Sequence, residues 1–210
     1  VDTLARLDRM FARDAFSHLE DVQGVNMQVT LSDAVTGREL RLHGADVDLS
    51  RVAERIDLTM AGALEGRRDA DLTLAIGRDA AQGVTTVDVR FDTLAARDLA
   101  AASPALARLA LMRAPIDGQL TAAVSDDGTL GNFDGWIEIG AGDIEVPGQG
   151  APLPFTTMAA ELAYEPDTRR ARIDRLRVVA PHLAFEGDGH ADVSDDGTLF
   201  TGQIAVRDIM

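Results

Sequence analysis

The stretch Pro115–Val146, PIDGQLTAAVSDDGTLGNFDGWIEIGAGDIEV, decides how this chain is read. Ile116, Gly118, Leu120, Ala122 and Val124 alternate with Asp117, Gln119, Thr121, Ala123 and Ser125. Successive side chains leave a pleated backbone on opposite faces, so a period of two marks a half-buried strand. Asp126-Asp127-Gly128 then reads as a turn, because Asp tolerates turn geometry and Gly takes positive φ without a Cβ clash. Phe133, Gly135, Ile137 and Ile139 continue the alternation on a return strand, and a shorter third strand follows before Val146. Nothing in the stretch is catalytic in character. It is a unit for building a long sheet with one apolar face.

The unit recurs. Val124-Ser125-Asp126-Asp127-Gly128-Thr129-Leu130 reappears as Val193-Ser194-Asp195-Asp196-Gly197-Thr198-Leu199. There Leu183, Phe185, Gly187, Gly189, Ala191 and Val193 share a face opposite Ala184, Glu186, Asp188, His190 and Asp192. Repetition of a supersecondary unit follows.

Outward from this core the rest of the chain reads mostly as strands. Val25, Met27, Val29 and Leu31 alternate, Asp33–Gly37 reads as a turn, and Leu40 and Leu42 continue. A separate short strand is expected at Val47 and Leu49. Further strands carry Ile56, Leu58, Met60, Gly62 and Leu64, then Ala70, Leu72, Leu74 and Ile76, then Val87, Val89 and Phe91. Beyond a Gly/Pro-rich loop at Gly148–Pro154 come Met158, Ala160, Leu162 and Tyr164, and a turn at Glu165-Pro166-Asp167. The alternation slips between Ile173 and Leu176, which predicts a β-bulge near Asp174-Arg175. Gly202, Ile204 and Val206 close the series. Short connections predict an antiparallel meander of about thirteen strands.

Two stretches break the rhythm. Thr3–Leu19, with Leu4, Leu7, Phe11, Ala15 and Leu19 at helical spacing, predicts an amphipathic helix capping the sheet. Its polar face is mixed in sign, unlike a basic membrane-surface helix. Leu94–Ala102 predicts a second helix, and Ser103-Pro104 restarts one that presents Leu106 and Leu109 until Arg113-Ala114-Pro115 ends it. The expected organisation is residues 1–92 as helix plus first β segment, 93–114 as a helical linker or plug, and 115–210 as the second β segment.

Composition excludes several function classes. A net charge of −15 argues against nucleic acid, whose phosphates demand a basic surface. The chain has no Cys, which removes disulfides, thiol catalysis and thiolate metal sites. His18, His43, His182 and His190 show no HxH or HExxH spacing. Asp126-Asp127 and Asp195-Asp196 lack the further oxygens of a calcium loop, and Asp46 and Asp48 lie on the wet side of a strand. No nucleophile elbow, phosphate loop or dinucleotide fingerprint occurs, so no enzyme and no cofactor is expected. No signal peptide or membrane span is evident. Because the chain starts at Val1, the expectation is a segment of a longer protein whose anchor lies elsewhere.

That leaves a sheet with far more apolar face than two helices can cover. Either it closes on itself over a filled core, or it curves into a trough that holds something apolar. Inward glycines (Gly62, Gly118, Gly135, Gly187, Gly189) permit bending and leave space. The succession APIDGQLTAAVSDDGTL (Ala114–Leu130), GAGDIEVPG (Gly140–Gly148) and LPFTTMAAELAYEPDTRRARIDRLRVVAPHLAFEGDG (Leu153–Gly189), with the earlier strands Val25–Leu64, resembles the AsmA-like family of bacterial envelope proteins. It resembles them in the rhythm of strands and turns, not in any catalytic motif. Such proteins are similar to bridge-like lipid-transfer proteins. The resemblance implies a groove-like, strongly bent antiparallel sheet in the periplasm, joined to further groove copies in the same chain. Its floor would carry phospholipid or another acyl-chain lipid between inner and outer membranes, and only parts outside this segment would touch a membrane. On that reading the lipid-facing residues are Ile56, Leu58, Met60, Leu64, Leu72, Leu74, Ile116, Leu120, Val124, Phe133, Ile137, Ile139, Leu162, Leu183 and Phe185. The competing expectation is a structural envelope β-domain with a self-filled core and protein partners.

Overall fold

A computed structural model describes residues 20–32, 39–65, 70–102, 104–148, 151–193 and 200–208. The strands in order are β1 (Asp21–Ser32), β2 (Glu39–Val52), β3 (Arg55–Leu64), β4 (Ala70–Asp79) and β5 (Val84–Ala95). A short α-helix, α1 (Ala96–Ala102), and a 3-10 helix (Pro104–Leu111) follow, then β6 (Met112–Arg113), β7 (Pro115–Ser125), β8 (Leu130–Ile139) and β9 (Gly142–Ile144). The remainder is β10 (Leu153–Phe155), β11 (Thr157–Glu165), β12 (Arg170–Ala180), β13 (Leu183–Val193) and β14 (Phe200–Asp208).

Eleven strands form one antiparallel sheet in the order β1-β2-β3-β4-β5-β7-β8-β11-β12-β13-β14, and β10-β9-β6 form a second, small sheet. The mainly β, antiparallel class expected from alternation is the one observed. The large sheet does not close, since β1 and β14 do not pair with each other. β5 and β7 pair directly across the helical insertion, from Val84 opposite Ser125 to Ala95 opposite Pro115. The expected helix at Thr3–Leu19, the turn at Asp33–Gly37 and the turn of the second heptapeptide, 194–199, lie outside the described residues.

Several local expectations are corrected. Leu94 and Ala95 finish β5, opposite Ile116 and Pro115, rather than starting the helix. Burial favours this: Leu94 is packed in the ladder beyond a register shift at Thr93, whose amide donates to Asp117 Oδ1 at 2.6 Å. The restart at Pro104 is a 3-10 helix, and Met112–Arg113 is strand. Val47 and Leu49 belong to the same strand as Leu40 and Leu42. A bulge between His43 and Asp46, with Gly44 at φ +59°, breaks the alternation without ending pairing. The short strand at Gly142 leaves the meander and pairs with β6 and β10 instead. Leu153 and Pro154, read as loop, are in β10. The slip at Ile173/Leu176 is a register shift, as the two intervening polar residues require.

One packed cluster joins the insertion to the sheet. Leu42, Leu64, Leu94 and Ile116 come from the sheet, Ala96 from α1, and Met112 and Phe155 from the small sheet. Leu109, Ala114 and Ile144 pack against it. The insertion and the small sheet therefore cover only one end of the apolar face.

Candidate functional site

Register assembles the candidate site from one residue of each strand. Gly24, Val47, Met60, Leu74, Val89, Leu120, Gly135, Leu162, Ile173, Gly189 and Ile204 stand opposite one another in succession from β1 to β14. Paired residues of neighbouring strands point to the same face. The row therefore crosses all eleven strands without meeting a polar side chain. Adjacent rows bring Leu58 beside Ile76, Leu72 beside Phe91, Ile116 beside Ile139, and Phe133 beside Ala122. Phe185 stands opposite Val178 and Leu183 opposite Ala180. All fifteen residues read as inward from the sequence share this face.

They are not equally covered. Met60, Leu64 and Ile116 sit in the packed cluster, and Ile56 is also buried. Leu58, Leu72, Leu74, Leu120, Val124, Phe133, Ile137, Ile139, Leu162 and Phe185 are half-buried, and Leu183 is exposed. Coverage thins toward β14: Ile116 is 1% exposed, whereas Ile204 is 60% and Val206 59% exposed. The strands of the large sheet pack chiefly against their hydrogen-bonded neighbours, with α1 against β5 and β10 against β12 besides. No second layer of comparable size faces it among the described residues.

The opposite face is polar. Its central row reads Thr59, Ala75, Asp88, Thr121, Asp134, Ala163, Arg172, His190 and Gln203. Thr121 Oγ1 and Gln119 Nε2 both donate to Asp88 Oδ2, at 2.6 and 2.8 Å. Exposed ion pairs lie along this face, among them Arg172–Glu165 at 2.7 Å, Arg170–Asp192 at 2.8 Å and Arg207–Asp188 at 2.9 Å. Among the described residues, the carboxylates weighed for chemistry accept hydrogen bonds within the sheet and its turns. Asp46 Oδ1 accepts the Asn26 amide at 3.0 Å and Asp48 Oδ2 accepts Gln23 Nε2 at 3.0 Å. Asp127 Oδ1 accepts the Thr129 amide at 2.9 Å, the turn role expected of it.

Sequence reading did not place Arg51, Arg78 and Thr85 on the apolar face, where register puts them. Their parity places them there, Arg78 two positions beyond Ile76, but the apolar run had been followed only to its last hydrophobic member. Arg78 lies between Ile56 and Thr85. Its side chain is 16% exposed and donates to Asp126 Oδ1 at 2.5 Å. That bond ties the β4–β5 end of the sheet to the β7–β8 turn. Tyr164 stands between Phe133 and Ala171, at the edge of a concavity of about 420 Å³ lined also by Leu162, Ile173, Ala191, Gly202 and Ile204.

Comparison with protein-family models, with curated proteins and with solved structures finds no match.

Proposed function

We propose that this chain is a segment of a lipid-transfer conduit, in which the apolar face of the large sheet is the floor of a groove that carries acyl chains. The observation that carries this reading is the unbroken apolar row from Gly24 to Ile204, left without a covering layer over most of its length. Water against such a face is costly, at roughly 25 cal/mol per Å². An acyl chain lying on it gains about 0.8 kcal/mol per methylene buried, while its headgroup stays wet.

A further observation supports an open trough over a filled core. The glycines of the apolar face show backbone crowding on that side. A Cβ added to Gly118 would lie 2.8 Å from the Trp136 carbonyl oxygen, and one on Gly187 2.7 Å from that of Ala205. Side chains converge on the concave side of a bent sheet, so glycine at these positions lets the sheet bend toward the apolar face.

The resemblance to the AsmA-like family supplies the setting: the periplasm, phospholipid or a related acyl lipid as cargo, further groove segments as neighbours, and anchorage through parts outside this segment. The chemistry asked of the protein is passive. No residue need donate a proton or attack a bond. Gently purified protein should carry phospholipid or fatty acid detectable by native mass spectrometry. Leu120→Asp places a charge in the middle of the row. On an open floor it stays hydrated, so the variant folds but loses lipid. Unfolding of Leu120→Asp together with lipid-free, monomeric wild-type protein would favour the filled-core scaffold instead.

A further inference from the structure

We propose that the concavity beside Tyr164 is a discrete seat for one acyl chain, a place where cargo rests rather than slides; this rests on the groove reading above. Its origin is a change of side-chain size along one row. Phe133 and Tyr164, from β8 and β11, are followed by Ala171, Ala191 and Gly202 on the next three strands. Two large rings beside three of the smallest side chains leave a step. Leu162, Ile173 and Ile204 of the neighbouring row form the other wall. Gly202 cannot be enlarged to fill it, because a Cβ there would collide with the His190 carbonyl oxygen of the adjacent strand.

Size and polarity identify the occupant. The concavity measures about 420 Å³, within the range of small-molecule sites. At about 30 Å³ per water-sized group, it holds about a dozen methylenes. The side chains aimed at it from the apolar face are hydrocarbon except for Tyr164. Arg172, His190 and Gln203 contribute through their strands from register positions on the opposite face. The backbone groups of β8, β11, β12 and β13 are committed to ladders on both sides, and β14 is bonded on its β13 side, so within the concavity the wall is apolar apart from Tyr164. The Tyr164 hydroxyl makes no hydrogen bond among the described residues. An unbranched chain with a single acceptor at one end, such as a carboxylate or an ester carbonyl, fits this arrangement. A sugar or a nucleotide does not.

The composition supplies its own reporters: the chain has one Tyr and one Trp. Tyr164 lines the concavity, while Trp136 lies on the polar face between Gln119 and Glu161. The probe is stearate carrying a nitroxide near its methyl end, added to protein with isotope-labelled Tyr and Trp. The expected result is strong paramagnetic broadening of Tyr164 with Trp136 unaffected. Ala191→Phe, which fills the step, should abolish that broadening while leaving the stearate stoichiometry on the rest of the floor unchanged by native mass spectrometry. Tyr164→Phe should weaken stearate several-fold while sparing a labelled alkane, as loss of one hydrogen bond predicts. Free fatty acid and phospholipid are told apart by repeating the broadening with tail-labelled phosphatidylcholine. Stearate that binds without broadening Tyr164, or that broadens Trp136 equally, overturns the seat but leaves the groove standing. A chain that binds no stearate and no phospholipid overturns both.

Discussion

Asp127 is held in its turn by charge as well as by shape. Its carboxylate accepts the Thr129 amide, and that hydrogen bond holds its pKa below the ordinary carboxylate value. Asp192 is lowered too, first through its hydrogen bond from Arg170. A carboxyl whose folded pKa is depressed stabilises the fold above its unfolded pKa and loses that contribution as pH falls through the folded value. The melting temperature should therefore decline as pH drops below about 4. Asp127→Asn, which keeps an acceptor for Thr129, should flatten part of that decline. Equal acid sensitivity in the variant would remove Asp127 from the account. At this scale the sequence was legible where function is local: Asp126-Asp127-Gly128 read as a turn, and Gly128 adopts φ +86°. The bond from Arg78 to Asp126 was not legible, because those residues are neighbours only once β5 has paired with β7.

Strands were legible wherever the period of two ran for five or more residues, and illegible where it could not. β6, β9 and β10 are two or three residues long, too short to show any period, and their pairing depends on the insertion bringing them together. β2 was split in two because its bulge reverses parity between His43 and Asp46. The same kind of irregularity in β12 was readable, since apolar residues on both sides of Asp174-Arg175 exposed the change of phase. The asymmetry between faces gives an element-level prediction. In Gly135→Ala the new Cβ would lie 2.5 Å from the Gln119 carbonyl oxygen and 2.7 Å from Leu120 Cδ2. The backbone cannot yield there, so the variant should lose about 1–3 kcal/mol in urea unfolding. Gly77→Ala, on the polar face, meets the end of the Asp57 side chain at 3.0 Å, which can swing aside. It should be near neutral. Equal losses would mean that crowding is not confined to the apolar face.

Parity told which residues share a face of the whole molecule, but not what covers them, because coverage depends on contacts between distant parts of the chain. Register puts the fifteen positions on one face, while their burial, from packed Ile116 to exposed Leu183, was unreadable. An uncovered sheet should also scatter as one. A compact chain of this length has a radius of gyration of about 17 Å, and small-angle X-ray scattering should give a clearly larger value. A result near 17 Å would instead indicate a closed sandwich in solution. The two edges of the sheet differ as well: β1 carries two register shifts and Asn26 at φ +54°, whereas β14 pairs with β13 in unbroken register. Irregular edges resist addition of a further strand and regular ones invite it. Since each strand bonds only to its neighbours, the sheet is a ruler. Eleven strands at a spacing of about 4.8 Å make a span of roughly 48 Å from edge to edge, against about 30 Å for the hydrocarbon of a bilayer. Every further hairpin lengthens that span by a fixed increment of about 10 Å without disturbing the strands already laid down. Reach in such a molecule is set by counting hairpins, so evolution can adjust it in whole steps by duplicating or deleting one.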